Sequence, residues 1–209
     1  AIAITAGSRE LAAYASSLNQ NVTVLPSVVD TDHYCPASPQ LVASADQPFT
    51  VGWIGSPSTA PYLQQLVAPL EQLALERPVR FLVVGGSAPV ISGVEVIEHP
   101  WTLDQEVPLI QQFDVGVMPL PNTPWARGKC AYKLIQCMAC AIPVIASPVG
   151  ANVEALPPTC GFLASSTDQW LSAFRQLAAD PSLRARLGDA GRHWVEERYS
   201  LRSALPVLM

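Results

Sequence analysis

Lysine is almost missing from this chain. Its 209 residues carry 12 Lys and Arg together, and only Lys129 and Lys133 are lysines. A net charge of −5 with so few cations argues against a nucleic acid partner, because phosphate backbones are met by broad basic faces. Long apolar runs are missing too. The composition is 49% apolar, yet no stretch approaches the ~18 uninterrupted residues of a membrane span. No cationic start followed by an apolar run marks a secretory leader. The chain opens at Ala1 without a methionine, as a piece of a longer polypeptide would. Paired metal ligands are lacking. The five cysteines (35, 130, 137, 140 and 160) are odd in number, and Cys137-x-x-Cys140 has no second Cys/His pair beside it. His33, His99 and His193 stand singly, so the expectation is no metal, no cofactor and reduced, mostly buried thiols in a cytoplasmic protein. The GxGxxG and GxxxxGK[ST] fingerprints are absent as well, which ranks a dinucleotide oxidoreductase last and sets P-loop chemistry aside.

What is present gathers in one stretch, Gly128 to Glu154. Between Arg80 and Arg175 the cations are Arg127, Lys129 and Lys133 alone. The residues that follow read as an apolar helix, a buried strand over Ile142–Ser147 and a turn over Pro148–Ala151. A helix starting near Gly128 has free N–H groups and a positive dipole end. Cations there are mildly unfavourable unless an anion lies between them and the helix end. Helical spacing places Lys129, Lys133, Gln136 and Cys140 on one face and Leu134, Cys137, Met138 and Ala141 on the other. The plainer alternative is a partly buried helix whose lysines reach into water.

Along the chain, Ala1–Thr5, a helix Arg9–Leu18 capped by Ser8, and Val22–Leu25 read as strand, helix, strand. Pro26, Pro36, Pro39 and Pro48 mark a loosely structured linker with a boundary near Ser44. From Phe49 the alternation is regular: strands at Phe49–Ile54, Val79–Val84, Val94–Glu98, Asp114–Pro119 and Gly161–Leu163, and helices at Tyr62–Glu76, Gln105–Gln112, Thr167–Ala179 and Pro181–Tyr199. Ser166 and Asp180 cap the last two. Apolar strands alternating with helices at short loop spacing predict an α/β fold, a Rossmann-like parallel sheet with helices on both faces. Ligands of such folds bind at the carboxyl ends of the strands. Three loops fall there: Gly55–Thr59, Gly85–Ala88 and Pro119–Lys129. In the first, small residues admit a phosphate and the hydroxyls of Ser56, Ser58 and Thr59 donate or simply cap the next helix. His99 and Trp101 follow a strand, where an aromatic wall for a base fits as well as plain packing does. Asp114 reads as structural. Glu154 either receives a hydroxyl-rich ligand or begins a helix.

Four segments together resemble one family: LPSVVDTDHYCP at 25–36, VGWIGSPSTAPYL at 51–63, FDVGVMPL at 113–120 and KLIQCMACAIPVIASPVGANVEAL at 133–156. They are similar to the carboxyl-terminal, donor-binding domain of GT-B glycosyltransferases of family 4 (group 1), over about Val24 to Tyr199. The resemblance implies a remnant of the acceptor-side domain at 1–24, an interdomain linker at 25–48, a nucleotide-sugar-binding domain at 49–199 and a tail at 200–209. It implies transfer from a nucleotide diphosphate sugar, with retention, to a glycan or lipid-linked glycan. It also implies a partnership with an amino-terminal domain, in polysaccharide synthesis, in the cytoplasm or at the inner face of a membrane. The family motif carries two glutamates separated by seven residues; here those positions hold Gly128 and Gln136. An Arg and a Lys often follow the first strand of the domain; here Trp53 and Ser58 stand there. The diphosphate charge then falls to Lys129, Lys133 and Arg127, with N–H groups from Gly55–Thr59, Cys130 and Ala131. Gln136, Trp101 and His99 fall on the nucleoside side, and Gly128 and Trp125 on the sugar side. No catalytic residue is assigned. The rival expectations are a nucleotide-sugar epimerase on the same architecture and a nucleotide-sugar-binding module without catalysis.

Overall fold

The computed structural model describes residues 2–37 and 47–208, with side chains through Pro206. The expected boundary near Ser44 lies outside the described residues. Two parallel sheets are present among them. The smaller joins β1 (Ile4–Ala6) to β2 (Val22–Val24) across helix α1 (Arg9–Ser16), whose first turn is closed by the Ser8 hydroxyl accepting from Leu11 N–H. The larger has β3 (Phe49–Ile54), β4 (Val79–Val84), β5 (Glu95–His99), β6 (Val115–Met118), β7 (Val144–Ala146) and β8 (Gly161–Leu163) in the order β5-β4-β3-β6-β7-β8, all parallel. This is the expected Rossmann-like sheet.

Alternation along each strand divides two cores. Leu82, Val84, Met118, Val144 and Ala146 face α3 (Leu103–Ile110), α5 (Tyr132–Ala139) and α8 (Pro181–Arg198). Val51, Trp53, Phe81, Val83, Val115, Val117 and Ile145 face α2 (Val67–Ala74) and α7 (Thr167–Ala179). The strands read as unbroken apolar runs because both faces are covered. Gly116 lets α5 lie close on the sheet: a Cβ there would come within 2.6 Å of Cys137 Sγ.

Several expected bounds shift for local reasons. The segment read as one helix over Tyr62–Glu76 is a 3-10 turn, Ala60–Leu66, followed by α2. Pro69 has no N–H and its ring would meet the carbonyl of Gln65 in a longer helix, so it falls in the first turn of α2, where no N–H partner is needed. The helix expected from Gly128 begins at Tyr132. Before it, α4 (Pro124–Arg127) ends with Gly128 as its C-cap, and Ala131 takes φ 57°, ψ 19°, turning the chain left-handed into α5. Lys129 therefore lies outside α5 and shares no helical face with Lys133. Cys140 is the buried C-cap of α5 rather than part of an outer face. The other helices are α6 (Asn152–Ala155) and, within the segment read as a tail, α9 (Leu201–Leu208). A bridge pairs Val29 with Ser200, so Val29 lies beside the start of α9.

One arginine locks this segment into the domain. Arg192 of α8 donates from Nη1 to the carbonyls of Tyr34 and Ala139 and from Nη2 to the carbonyl of Thr31, at 2.8 Å. The Ala139 carbonyl is one of the free acceptors at the carboxyl end of α5, where a cation also meets the negative end of the helix dipole. The same side chain fixes Thr31–Tyr34 against α5, which sets Tyr34 beside the cleft described next.

Candidate active site

The sheet order reverses between β3 and β6, and the cleft opens at the carboxyl ends of the strands there, as open parallel sheets favour. Its volume is ≈ 600 Å³. The β3 end contributes Ile54, Gly55, Ser56 and Pro57; Gly85 ends β4; Trp101 and Leu103 follow β5; and α5 supplies Tyr132, Lys133 and Gln136.

Lys133 is the cation of this cleft. Its stem crosses Gly55, where a Cβ would stand 2.6 Å from Lys133 Cε and 2.3 Å from Trp53 Cζ2. Its ammonium lies 5.8 Å from the centroid of the Trp53 ring, a cation–π contact with a side chain 2% exposed. Burial lowers the Lys133 pKa below the ordinary lysine value, and the charge of Lys129 adds to the effect. The first intrahelical bonds of α5 run from Leu134 and Ile135 N–H to the Ala131 carbonyl, which leaves the N–H groups of Tyr132 and Lys133 without a helical acceptor. A partly buried ammonium and the first residues of a helix therefore line one cleft, an arrangement that suits an anion.

The turn after β3 uses its hydroxyls on itself. Ser56 and Ser58 Oγ are 2.9 Å apart, and Thr59 Oγ1 donates to the Ser56 carbonyl at 3.1 Å. Thr59 is buried, while Ser56 lines the cleft. Gly85 at φ 79° has its N–H on the His99 carbonyl, and a Cβ there would meet the Gly55 carbonyl at 2.3 Å. This close approach brings the β3 and β4 ends together. His99 takes part through its backbone, at the end of β5.

A buried acid that sequence reasoning missed lies in the cleft wall. Glu106 of α3 is 3% exposed. It accepts from Tyr34 Oη (2.7 Å), Trp101 Nε1 (2.8 Å) and Gln136 Nε2. Gln136 Nε2 also donates to Tyr34 Oη, at 3.0 Å. Burial and then the bond to Glu106 raise the Tyr34 pKa, so its hydroxyl stays protonated. The Tyr132 hydroxyl, also in the wall, is raised by burial first. The missed signal was helical phase: Glu106 precedes the buried Leu109 by three and Ile110 by four, which turns it inward. An acid on such a face is rare unless it is hydrogen-bonded.

The remaining expected site residues sit around the α4–α5 loop, outside this lining. Lys129 places its ammonium 5.5 Å from the ring centroid of the exposed Trp125. Arg127 pairs with Glu10 of α1 at 3.4 Å and donates to Asn122 Oδ1 at 3.1 Å. Cys130 lines a second cavity of ≈ 310 Å³ with Gly7, Ser8, Arg9, Glu154 and Tyr199. Arg9 pairs with Glu154 across it, at 3.3 Å. The buried Ala131 and the C-cap Gly128 shape the loop between the two cavities. The cysteines are all free thiols; Cys140 is pushed up to about 12 by burial, and Cys137 is raised further by the same cause. Asp114 is structural as expected, accepting from Thr50 N–H at 2.8 Å and pairing with Arg184 at 3.3 Å.

The parallel sheet with helices around it and a cleft at its switch point is that of one half of a GT-B glycosyltransferase. The model of the family "Glycosyl transferases group 1" matches residues 48–180, and the chain belongs to that family. Among curated relatives it is 24% identical over 204 residues to a Corynebacterium glutamicum GDP-mannose-dependent monoacylated alpha-(1-6)-phosphatidylinositol monomannoside mannosyltransferase, covering 84% of this chain and 52% of that protein. The chain thus spans about half the length of this relative. Among solved structures, Anabaena HepE in complex with UDP and glucose superposes with a TM-score of 0.80 at 16% identity, over 100% of this chain and 62% of that one. Sucrose-phosphate synthase from Thermosynechococcus elongatus superposes with a TM-score of 0.74 at 22% identity, over 97% of this chain and 56% of that one. At these identities the superpositions speak for the fold. Among the described residues, no helix is long and apolar enough to cross a membrane.

Proposed function

We propose that this chain is the donor-binding part of a glycosyltransferase that moves a hexosyl or related sugar from a nucleoside diphosphate sugar to an acceptor, with retention of configuration. The observation that carries the reading is Lys133, a partly buried ammonium laid over Gly55 beside the free N–H groups of α5, in the switch-point cleft of a group 1 glycosyltransferase. A diphosphate seated there meets a cation and helix N–H groups together. Its negative charge grows as the glycosidic bond breaks, so groups aimed at it stabilise the transition state more than the ground state. The nucleoside then extends toward Trp101 and Gln136, and the sugar toward the α4–α5 loop with Gly128, Lys129 and Trp125. The names of two similar proteins support the donor class: one is GDP-mannose-dependent and the other was solved with UDP and glucose. The acceptor is a glycan or lipid-linked glycan in polysaccharide synthesis, on the cytoplasmic side. An amino-terminal domain supplies its wall, so the chain alone binds donor and transfers nothing.

One feature favours a second reading, a nucleotide-sugar-binding module without turnover. Gln136 and Gly128 stand where the resemblance expects glutamates, and Gly128 has no side chain to replace one. Calorimetric titration of the chain with UDP, GDP, dTDP and ADP, beside Lys133→Ala and Lys129→Ala, tests the donor site. Selective binding of one diphosphate that is lost in Lys133→Ala is the expected result. Binding that survives both substitutions would remove the lysines from the site. Release of nucleoside diphosphate from the sugar donor by the enzyme that contains this chain separates the transferase from the silent module.

A further inference from the structure

We infer that Glu106 is a positioning residue of the nucleoside subsite, orienting the Gln136 amide and the Trp101 indole toward the donor. The inference rests on the nucleotide-sugar reading of the cleft. A carboxylate this deeply buried persists only when hydrogen bonds replace its water. Among the described residues no cation lies within ion-pair distance of it; its partners are three donors from three segments. Tyr34 comes from the chain before β3, Trp101 from the β5–α3 loop and Gln136 from α5. All three line the cleft.

The chemistry of the donors decides what the ligand meets. Trp101 Nε1–H can only donate and takes one Glu106 oxygen, and Gln136 turns its NH₂ group toward the other. Both bonds of that group are then spoken for, one on Glu106 and one on Tyr34 Oη. Tyr34 Oη donates to the same carboxylate oxygen that Gln136 contacts, which closes a three-membered ring of hydrogen bonds and leaves neither side chain free to rotate. The amide oxygen of Gln136 is the remaining polar end, an acceptor for a ribose hydroxyl. On the other carboxylate oxygen, Trp101 Nε1 is held while half of its side chain stays exposed in the cleft wall. That fixes the indole plane on which a base can stack.

The experiment transposes acid and amide. Affinities for UDP and GDP and for their 2′- and 3′-deoxy counterparts are measured on the unsubstituted chain, on Glu106→Gln, and on Glu106→Gln combined with Gln136→Glu. The unsubstituted chain should prefer the ribonucleotide by about 3- to 10-fold, the worth of one hydrogen bond. Glu106→Gln faces Trp101, Tyr34 and Gln136 with one acceptor instead of two, so the amide of Gln136 turns and the preference is lost. In the double variant the amide now at position 106 accepts from Trp101 and donates to the carboxylate now at position 136. That carboxylate still shows an oxygen to the cleft, so the preference returns. Tyr34→Phe keeps the buried ring, removes one donor and should lose part of the preference without unfolding the chain. Full preference in both Glu106→Gln and Tyr34→Phe would overturn the role of Glu106 while leaving the donor site standing. So would a double variant no better than Glu106→Gln. If the unsubstituted chain binds no nucleoside diphosphate, the donor-site reading fails, and this role with it.

Discussion

Lys133→Met separates what the ammonium does for a ligand from what it does for the fold. Methionine keeps an unbranched stem over Gly55 and removes only the charge. On the ligand side, a charge-assisted hydrogen bond contributes about 1.5–3 kcal/mol. At roughly 1.4 kcal/mol per tenfold, affinity for a nucleoside diphosphate should fall about 10- to 100-fold. On the stability side, two small effects offset. The cation–π contact with Trp53 is lost, about 0.5–2 kcal/mol for a partly desolvated pair. In exchange, thioether–aromatic contact contributes about 0.3–1.5 kcal/mol. Relief of the partly buried charge adds to the second, because burial is the leading cause of the lowered Lys133 pKa. Unfolding free energy should therefore stay level or rise. Titration calorimetry with the preferred diphosphate and urea unfolding of the free chain at pH 7 read the two sides separately. Unchanged affinity would refute the phosphate role. A loss of stability above about 1 kcal/mol, the middle of the range for a cation–π contact, would show that the ammonium is a structural cation instead.

The same lysine sets a pH dependence. Its folded pKa is lowered, so between that value and the unfolded lysine value the unfolded chain holds a proton that the folded chain has released. Stability of the free chain should rise with pH across that window, and the rise should vanish in Lys133→Met; urea midpoints against pH check both. A bound diphosphate restores the proton, so binding above the lowered pKa should take up protons and weaken as pH rises, read by calorimetry in buffers of different ionisation enthalpy. Gly55→Ala puts a Cβ 2.3 Å from the Trp53 ring, which is buried and cannot yield as Lys133 can. Overpacking of this kind costs about 1–3 kcal/mol. Its unfolding midpoint should drop, and diphosphate affinity should drop with it as Lys133 is displaced.

The order of strands and helices from Phe49 onward was legible because each element carries its own period and punctuation. Buried parallel strands such as Val79–Val84 are continuous apolar runs, and Ser166 and Asp180 mark helix starts by chemistry that acts within four residues. The cation cluster was legible for a similar reason: two lysines in a nearly lysine-free chain stand out without any structure. Their division was not legible. Whether Lys133 and Lys129 share a face depends on where α5 begins, and a left-handed turn at Ala131 decides that. The cost of such a turn in an alanine is met by packing around it, which no local pattern reports.

Partners distant in the chain belong wholly to the tertiary structure. Glu106 meets Tyr34 and Gln136 across separations of 72 and 30 residues. Helical phase alone could say only that an acid turns inward. Its three donors were chosen by sheet order and by Arg192 holding Thr31–Tyr34 against α5. Periodicity, caps and charge clustering are properties of neighbours, so local pattern was enough for the elements and the fold class. A buried polar network needs every donor and acceptor matched in space, and the packing of three separate segments selected the side chain on which the cleft wall rests.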